Sequence, residues 1–250
     1  MKEQSEPLYI YGRQPVIEAL RSGHPVYKLW MAAGLSGSGV GPIKKLAEGR
    51  GIRVQTVHKN QLQKFVGAVV HQGVAASVPP PQFLADAEVD AILNAKKNPL
   101  ILVLDQIQDP HNLGAIIRTA EISGTDLIAF AEKGTAKLNA TVVKTSAGAV
   151  FYQKFYQASH ILSILDKLNE RGIQTLALAP GAETLMYDAP LKQGVALVIG
   201  SEGRGLRKNV ERQCSGRIAI PQFGRVNSLN ASVATAIVLF EALRQRKKQD

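Results

Sequence analysis

The stretch Leu100-Ile101-Leu102-Val103-Leu104-Asp105-Gln106-Ile107-Gln108-Asp109-Pro110-His111-Asn112-Leu113-Gly114-Ala115-Ile116-Ile117-Arg118-Thr119-Ala120 decides the fold. Five apolar residues in an unbroken run predict a strand buried on both faces. A polar loop containing a proline follows, and then apolar residues at helical spacing. The same strand, loop and helix pattern recurs down the chain. Strands are predicted at 100–104, 126–130, 149–151, 174–178, 195–199 and 217–220. Helices are predicted at 113–123, 138–144, 159–170 and 230–246. Near-continuous apolar strands separated by helices predict an α/β fold with a mainly parallel sheet covered on both sides. Ligands of such sheets bind at the loops beyond the strand C-termini.

Upstream, Pro79-Pro80-Pro81 and Asn98-Pro99 interrupt regular structure, because proline cannot donate to a ladder or a helix. They divide the chain into 1–78, a linker 79–98 holding a short helix from Ala87 to Ala95, and 99–250. The first part is a smaller α/β module. Helices are predicted at Pro15–Leu20 and Pro42–Glu48, and strands at Val26–Ala32, Ile52–Val57 and Val74–Val78, with a glycine-serine loop over 34–41.

The chain carries 30 Lys and Arg against 20 Asp and Glu, a net charge of +10. Residues 1–80 hold ten basic against four acidic side chains, so that module alone carries +6. Such a balance draws polyanions without saying which. No apolar run approaches the roughly 20 residues that span a bilayer. The start, Met1-Lys2-Glu3-Gln4-Ser5-Glu6, lacks the features of a secretory leader. One cysteine, Cys214, allows no intrachain disulfide. A soluble cytoplasmic protein is expected. The histidines lack metal-ligand spacing, and no metal is expected. A Gly-x-Gly-x-x-Gly turn, a Walker loop and a Gly-x-Ser-x-Gly elbow are all missing from the sequence.

Three loops collect the polar groups. In the first, Asn112 stands where a helix cap is expected, and Arg118 follows about 9 Å further along the axis. Taken alone, Asn112 reads first as a plain cap. Arg118 lies among Ile116, Ile117 and Ala120, which favours a buried guanidinium with an anionic partner over the alternative of a plain surface arginine. The second loop is Gly200-Ser201-Glu202-Gly203-Arg204-Gly205-Leu206. Its carboxylate repels phosphate, so the loop suits a ligand with hydroxyls or positive charge; an ordinary tight turn is the alternative. The third loop, Ile220 to Asn230, crowds Asn227, Ser228 and Asn230 before a long helix. One cap suffices, which leaves a side chain for other work.

In order and spacing these loops resemble the three motifs of the SpoU/TrmH family within the SPOUT methyltransferases. The first is Asp109-Pro110-x-Asn112-Leu113-Gly114-x-x-x-Arg118-Thr119-Ala120. The second is Leu197-Val198-Ile199-Gly200-Ser201-Glu202-Gly203-x-Gly205-Leu206. The third is Ile220-Pro221 followed by Ser228-Leu229-Asn230-Ala231-Ser232-Val233-Ala234. Residues Tyr11-Gly12-x-x-x-Val16-x-Glu18-Ala19-Leu20 and His71-Gln72-Gly73-Val74-Ala75-Ala76 are similar to the substrate-binding domain of the family's ribosomal-RNA guanosine 2′-O-methyltransferases.

The resemblance implies a C-terminal α/β trefoil-knot (SPOUT) domain with an N-terminal L30-like RNA-binding domain. It implies S-adenosylmethionine as cofactor, touched by Gly200, Ile220 and Leu229, with Ala179 adding to the pocket wall. It implies a homodimer whose catalytic groups meet across the subunit interface. Asn112, Arg118, Glu202, Ser228 and Asn230 become the catalytic set, with Glu202 anchoring Arg118 or its loop. RNA is the implied partner, ribosomal RNA first, with neither DNA nor membrane. Arg13 and His71 are candidate RNA contacts, although His71 reads equally as a structural histidine, and the loop 34–41 is expected to order on RNA. Three alternatives stay open: a transfer-RNA methyltransferase, a resistance methylase acting on ribosomal RNA, and a non-catalytic ribosome-assembly factor.

Overall fold

The computed structural model describes residues 6–225 and 228–247, which fall into two compact units. The start of the chain, Met1–Ser5, and the capping candidate Asn227 lie outside the described residues.

One unit comprises 1–81 together with 137–152. Its strands are β1 (Leu8–Tyr11), β2 (Lys28–Ala32), β3 (Val54–Val57) and β4 (Val74–Val78), in the order β1-β4-β2-β3. β4 is antiparallel to both β1 and β2, and β2 is parallel to β3. Helices α1 (Arg13–Arg21) and α2 (Val40–Gly49) pack on each other, while α3 (Lys59–Val66) sets Leu62 against Trp30 and Ala75 of the sheet. β1 and α3 were not expected: β1 is only four residues long, and α3 has three apolar residues in eight.

The other unit comprises 82–136 and 153–250. Helix α4 (Asp86–Ala95), expected in a linker, buries Val89 and Leu93 in this unit's core. Six strands follow: β5 (Leu100–Leu104), β6 (Leu127–Ala131), β7 (Phe155–Ala158), β8 (Gln174–Leu178), β9 (Val195–Ile199) and β10 (Gly216–Ile218). All pair in parallel, in the order β10-β8-β9-β5-β6-β7. Ile101, Val103, Ala196 and Val198 face α7 (Ile161–Glu170) and α8 (Lys208–Gln213) in one core layer. Their neighbours Leu102, Leu104, Leu197 and Ile199 are buried on the opposite face by the strand's alternation. Helices α5 (Pro110–Ile122) and α9 (Ala231–Lys247) pack against each other.

The expected strand at 149–151 is corrected. Ala147 and Gly148 adopt left-handed backbone, and Ala149–Phe151 forms a 3-10 turn. A Cβ on Gly148 would come 2.7 Å from Cβ of Glu18, so this stretch lies against α1 in the first unit. The actual strand, β7, starts four residues after that turn ends. Just before the turn, α6 (Ala140–Thr145) is close to the predicted helix.

Candidate active site

Chain order places the ends of β8, β9 and β5 side by side, where the sheet's connections run off in opposite directions. Such a switch point opens a crevice at the strand C-termini. Asp105 follows β5 and is 1% exposed. It accepts from Arg207 Nε at 3.0 Å, from Nη2 at 2.7 Å and from the backbone N–H at 3.1 Å. That pair ties the loop after β9 to the end of β5. Within the loop, Ser201 and Gly205 exchange backbone hydrogen bonds of 3.1 and 2.9 Å. A Cβ on Gly200 would sit 2.2 Å from the carbonyl carbon of Gly205, so only glycine fits there.

The three polar loops meet around one carboxylate. Asn112 Nδ2 donates to Glu202 Oε2 at 3.1 Å, and Asn230 Nδ2 donates to the same oxygen at 2.9 Å. Asn230 Nδ2 also donates to Asn112 Oδ1 at 3.0 Å. Asn230 Oδ1 accepts from the backbone of Ser232 at 2.9 Å, which caps α9. One side chain thus does both jobs. The expectation that Asn112 caps its helix is corrected: Asp109 is the cap, accepting from His111 N–H at 2.9 Å, with Pro110 at the first helical position. Moving the cap back three residues puts Asn112 in the first turn and frees its amide.

Two cavities flank this cluster. One of about 280 Å³ is lined by Ala179, Gly200, Ile220 and Leu229, the four residues singled out in the sequence, together with Ser228. A second, of about 370 Å³, is lined by Asn112, Glu202, Gln106 and Gln108. Ser201, Arg204 and Ala231 belong to both walls. Ser228 is thus in the wall of the first cavity, and none of the bonds above involves it. Sequence reasoning passed over Gln106, a non-glycine residue at φ 59° whose backbone is strained beside the second cavity. It also passed over the Asp105–Arg207 pair.

Arg118 is exposed, which corrects the expectation of a buried guanidinium. Six residues advance a helix by about 600°, so Arg118 points about 120° away from Asn112. Glu202 is engaged by the two asparagines, so it meets the loop of Arg118 through Asn112 and not Arg118 itself. Among the described residues no carboxylate lies within ion-pair distance of Arg118.

In the first unit, Arg13 and His71 line one groove. Arg13 donates to the carbonyls of Ser36 and Ser38 at 2.9 and 2.5 Å, so the loop 34–41 is already held. His71 is 3% exposed, and its Nδ1 accepts from Gly73 N–H at 3.0 Å. Burial, and then the charge of Lys59, lowers its pKa. These contacts support the structural reading of His71, although it also lines the groove. Burial, reinforced by Glu211, pushes the Cys214 thiol up to about 12, so it offers no thiolate nucleophile at neutral pH. Among the described residues no cluster of His, Cys, Asp or Glu could hold a metal ion, and no helix is long and apolar enough to cross a membrane.

The SpoU rRNA methylase family model matches residues 99–240, which hold all three loops. A second model, for the substrate-binding domain of RNA 2′-O ribose methyltransferases, matches residues 9–84. The chain belongs to the SpoU/TrmH family of RNA methyltransferases. It is 35% identical to a protein of Staphylococcus haemolyticus placed by name in the TrmH family of tRNA/rRNA methyltransferases, over 96% of this chain and 97% of that one. Its two-domain SpoU architecture is also that of the SpoU methyltransferase AviRb from Streptomyces viridochromogenes. The TM-score is 0.81 at 24% identity, over 98% of this chain and 91% of that one. AviRb has been solved with S-adenosylmethionine bound. An RNA 2′-O ribose methyltransferase superposes with TM-score 0.80 at 25% identity, over 98% and 91% of the two chains. A TrmH/SpoU tRNA-modifying enzyme of A. aeolicus matches only 66% of this chain, with TM-score 0.55 at 26% identity.

Proposed function

We propose that this SpoU/TrmH methyltransferase transfers the methyl group of S-adenosylmethionine to a ribose 2′-hydroxyl of RNA, with a guanosine of large-subunit ribosomal RNA as the favoured target. The observation that carries this reading is the junction of three distant loops at Glu202, between two adjoining cavities. The family's substrate-binding model at 9–84 supports the ribose hydroxyl as acceptor and RNA as partner. The tRNA-modifying relative matches little beyond one domain's length, which favours ribosomal RNA over transfer RNA.

The first cavity fits the cofactor. Ala179, Ile220 and Leu229 give it apolar walls, and Gly200, where a Cβ would strike the Gly205 backbone, lets the turn close tightly at the cavity's edge. When bound, S-adenosylmethionine supplies an electrophilic methyl. The second cavity offers amides for a nucleotide. Asn112 and Asn230 orient the ribose, with Glu202 fixing both amides in place. Holding the sugar oxygen in line contributes on the order of 7–11 kcal/mol. Ser228, on the first cavity's wall, bridges ribose or phosphate to the cofactor side.

Arg118 completes the site from outside. Arginine stays protonated at neutral pH, so it makes a poor general base and a good clamp on phosphate and on the developing alkoxide. Its exposure, with no carboxylate partner among the described residues, fits a homodimer in which Arg118 of one copy completes the site of the other. On α9, Val233 and Phe240 are each 47% exposed, an apolar face suited to that contact. The N-terminal unit then holds the RNA, with Arg13 bracing a loop of its groove.

The test is Arg118→Lys. We expect methyl transfer to fall about a hundredfold, while S-adenosylmethionine binding stays within a few-fold and the dimer persists in sedimentation. Unchanged turnover removes Arg118 from the site. Mapping ribose methylation in ribosomal and transfer RNA from cells with and without the gene identifies the substrate.

A further inference from the structure

The N-terminal unit carries a second feature apart from the groove beside Arg13. Tyr9 on β1, Trp30 on β2 and Phe65 on α3 bring their rings together on one face of the four-stranded sheet. Centroids lie 4.4 Å apart for Trp30 and Phe65, 6.2 Å for Tyr9 and Trp30, and 6.3 Å for Tyr9 and Phe65. Interplanar angles are 21°, 19° and 8°, so all three rings share one orientation. Trp30 is 5% exposed, whereas Tyr9 and Phe65 are 38% and 37% exposed. α3 covers the centre of this sheet face over Trp30, and the outer rings of Tyr9 and Phe65 stay in reach of a ligand.

The surroundings are cationic. Tyr9 pairs with Ser77, and Ser77 with Lys28, so Lys28 stands in the same row on the same face, two strands from Tyr9. Lys64 adjoins Phe65 on α3. Both lysines are exposed, and among the described residues neither belongs to an ion pair. Stacked aromatic faces beside unpaired cations match the chemistry of a single-stranded nucleic acid: the rings take the base and the ammonium groups take its phosphates.

We propose that the exposed rings of Tyr9 and Phe65, backed by the buried Trp30, form a stacking platform for an unpaired base of the RNA substrate, with Lys28 and Lys64 holding the adjoining backbone. The proposal rests on RNA being the substrate and adds which part of it this unit reads: an unpaired, unstacked nucleotide rather than a regular helix.

Trp30 is the sole tryptophan, so its fluorescence reports on the platform directly. The full-length protein is titrated with single-stranded oligoadenylate and, separately, with a blunt RNA duplex. We expect the single strand to quench Trp30 and the duplex to leave it nearly unchanged. The double variant Tyr9→Leu/Phe65→Leu keeps apolar cover over Trp30 but removes the outer rings. It should bind oligoadenylate about tenfold more weakly, with circular dichroism and sedimentation unchanged. If the double variant misfolds, Phe65→Leu alone provides the same comparison. Wild-type affinity in the variant, or equal quenching by duplex, overturns the platform. So does loss of the dimer in the variant, which would give this face to a second copy of the chain. Calorimetry with S-adenosylmethionine separates the two proposals: its failure to bind the wild type sinks methyl transfer, and silent Trp30 fluorescence with normal cofactor binding sinks only the platform.

Discussion

Gly200 and Glu202 show how much single positions decide. Every near neighbour of a Cβ added at Gly200 is backbone, with Gly205 C, Leu206 N and Gly205 O at 2.2, 2.3 and 2.4 Å. Backbone cannot swing aside as a flexible side chain can. Gly200→Ala should therefore deform the turn, weaken S-adenosylmethionine binding at least about tenfold and lower stability by about 1–3 kcal/mol. Gly203→Ala gives the contrast. Gly203 has open space around it and only its φ of +78° to resist a side chain, so that change should cost about 1 kcal/mol and leave the turn undeformed. Calorimetric titration and thermal unfolding of both variants check the pair. Glu202 matters for a different reason: its Oε2 is the one atom to which both Asn112 and Asn230 donate.

Among the elements, the loop between β9 and α8 depends on a single ion pair. α8 spans six residues and has no side-chain cap, and the N–H of Arg207 finds its acceptor in Asp105 instead. The two partners are unequally buried: the Asp105 side chain is 1% exposed and that of Arg207 is 42% exposed. Removing the arginine leaves a buried carboxylate short of partners, whereas removing the carboxylate leaves a guanidinium that water can reach. Arg207→Ala should cost about 2–3 kcal/mol and Asp105→Asn about 1 kcal/mol, with Arg207→Ala also loosening the turn that carries Glu202. Urea denaturation of the two variants reads the order, and equal costs would remove the asymmetry. Elements also differ in how legible they are. The runs Leu100–Leu104 and Val195–Ile199 are apolar throughout and are read directly from sequence. In α8, Lys208–Gln213, Val210 is the single apolar residue, and no periodicity announces it.

At the scale of the whole molecule, two histidines make stability depend on pH. His24 Nε2–H donates to the carbonyl of Pro79 at 2.8 Å, and its ring lies 4.6 Å from that of Phe151. Burial lowers its pKa, with a smaller contribution from the charge of Arg50, and burial likewise lowers that of His71. Protonating His71 Nδ1 would also turn it against the N–H of Gly73. As pH falls the unfolded chain takes up these protons first. Stability is therefore full above the ordinary histidine pKa of about 6.5 and declines below it, until each folded ring titrates at its own lower pKa. The melting temperature should drop between about pH 7.5 and about pH 5.5, and His24→Gln with His71→Asn should flatten that slope; an equal slope in the double variant refutes the assignment. Periodicity and proline stops were enough to specify an α/β chain and most of its strands, because they act through neighbours along the chain, where every turn and strand repeats its own spacing. The residues of one cavity came from the family resemblance that the three motifs carry. Local signals have a limit. They could not choose between Asp109 and Asn112 as a cap, turn Arg118 outward or show that 149–151 lies against α1. Those outcomes depend on groups brought together from afar: Asn112 meets Glu202 across 90 positions and Asn230 across 118. Which polar atom finds a partner is settled only when the sheet sets its strand ends side by side, because a hydrogen bond is a matter of distance in space and local spacing carries no record of it.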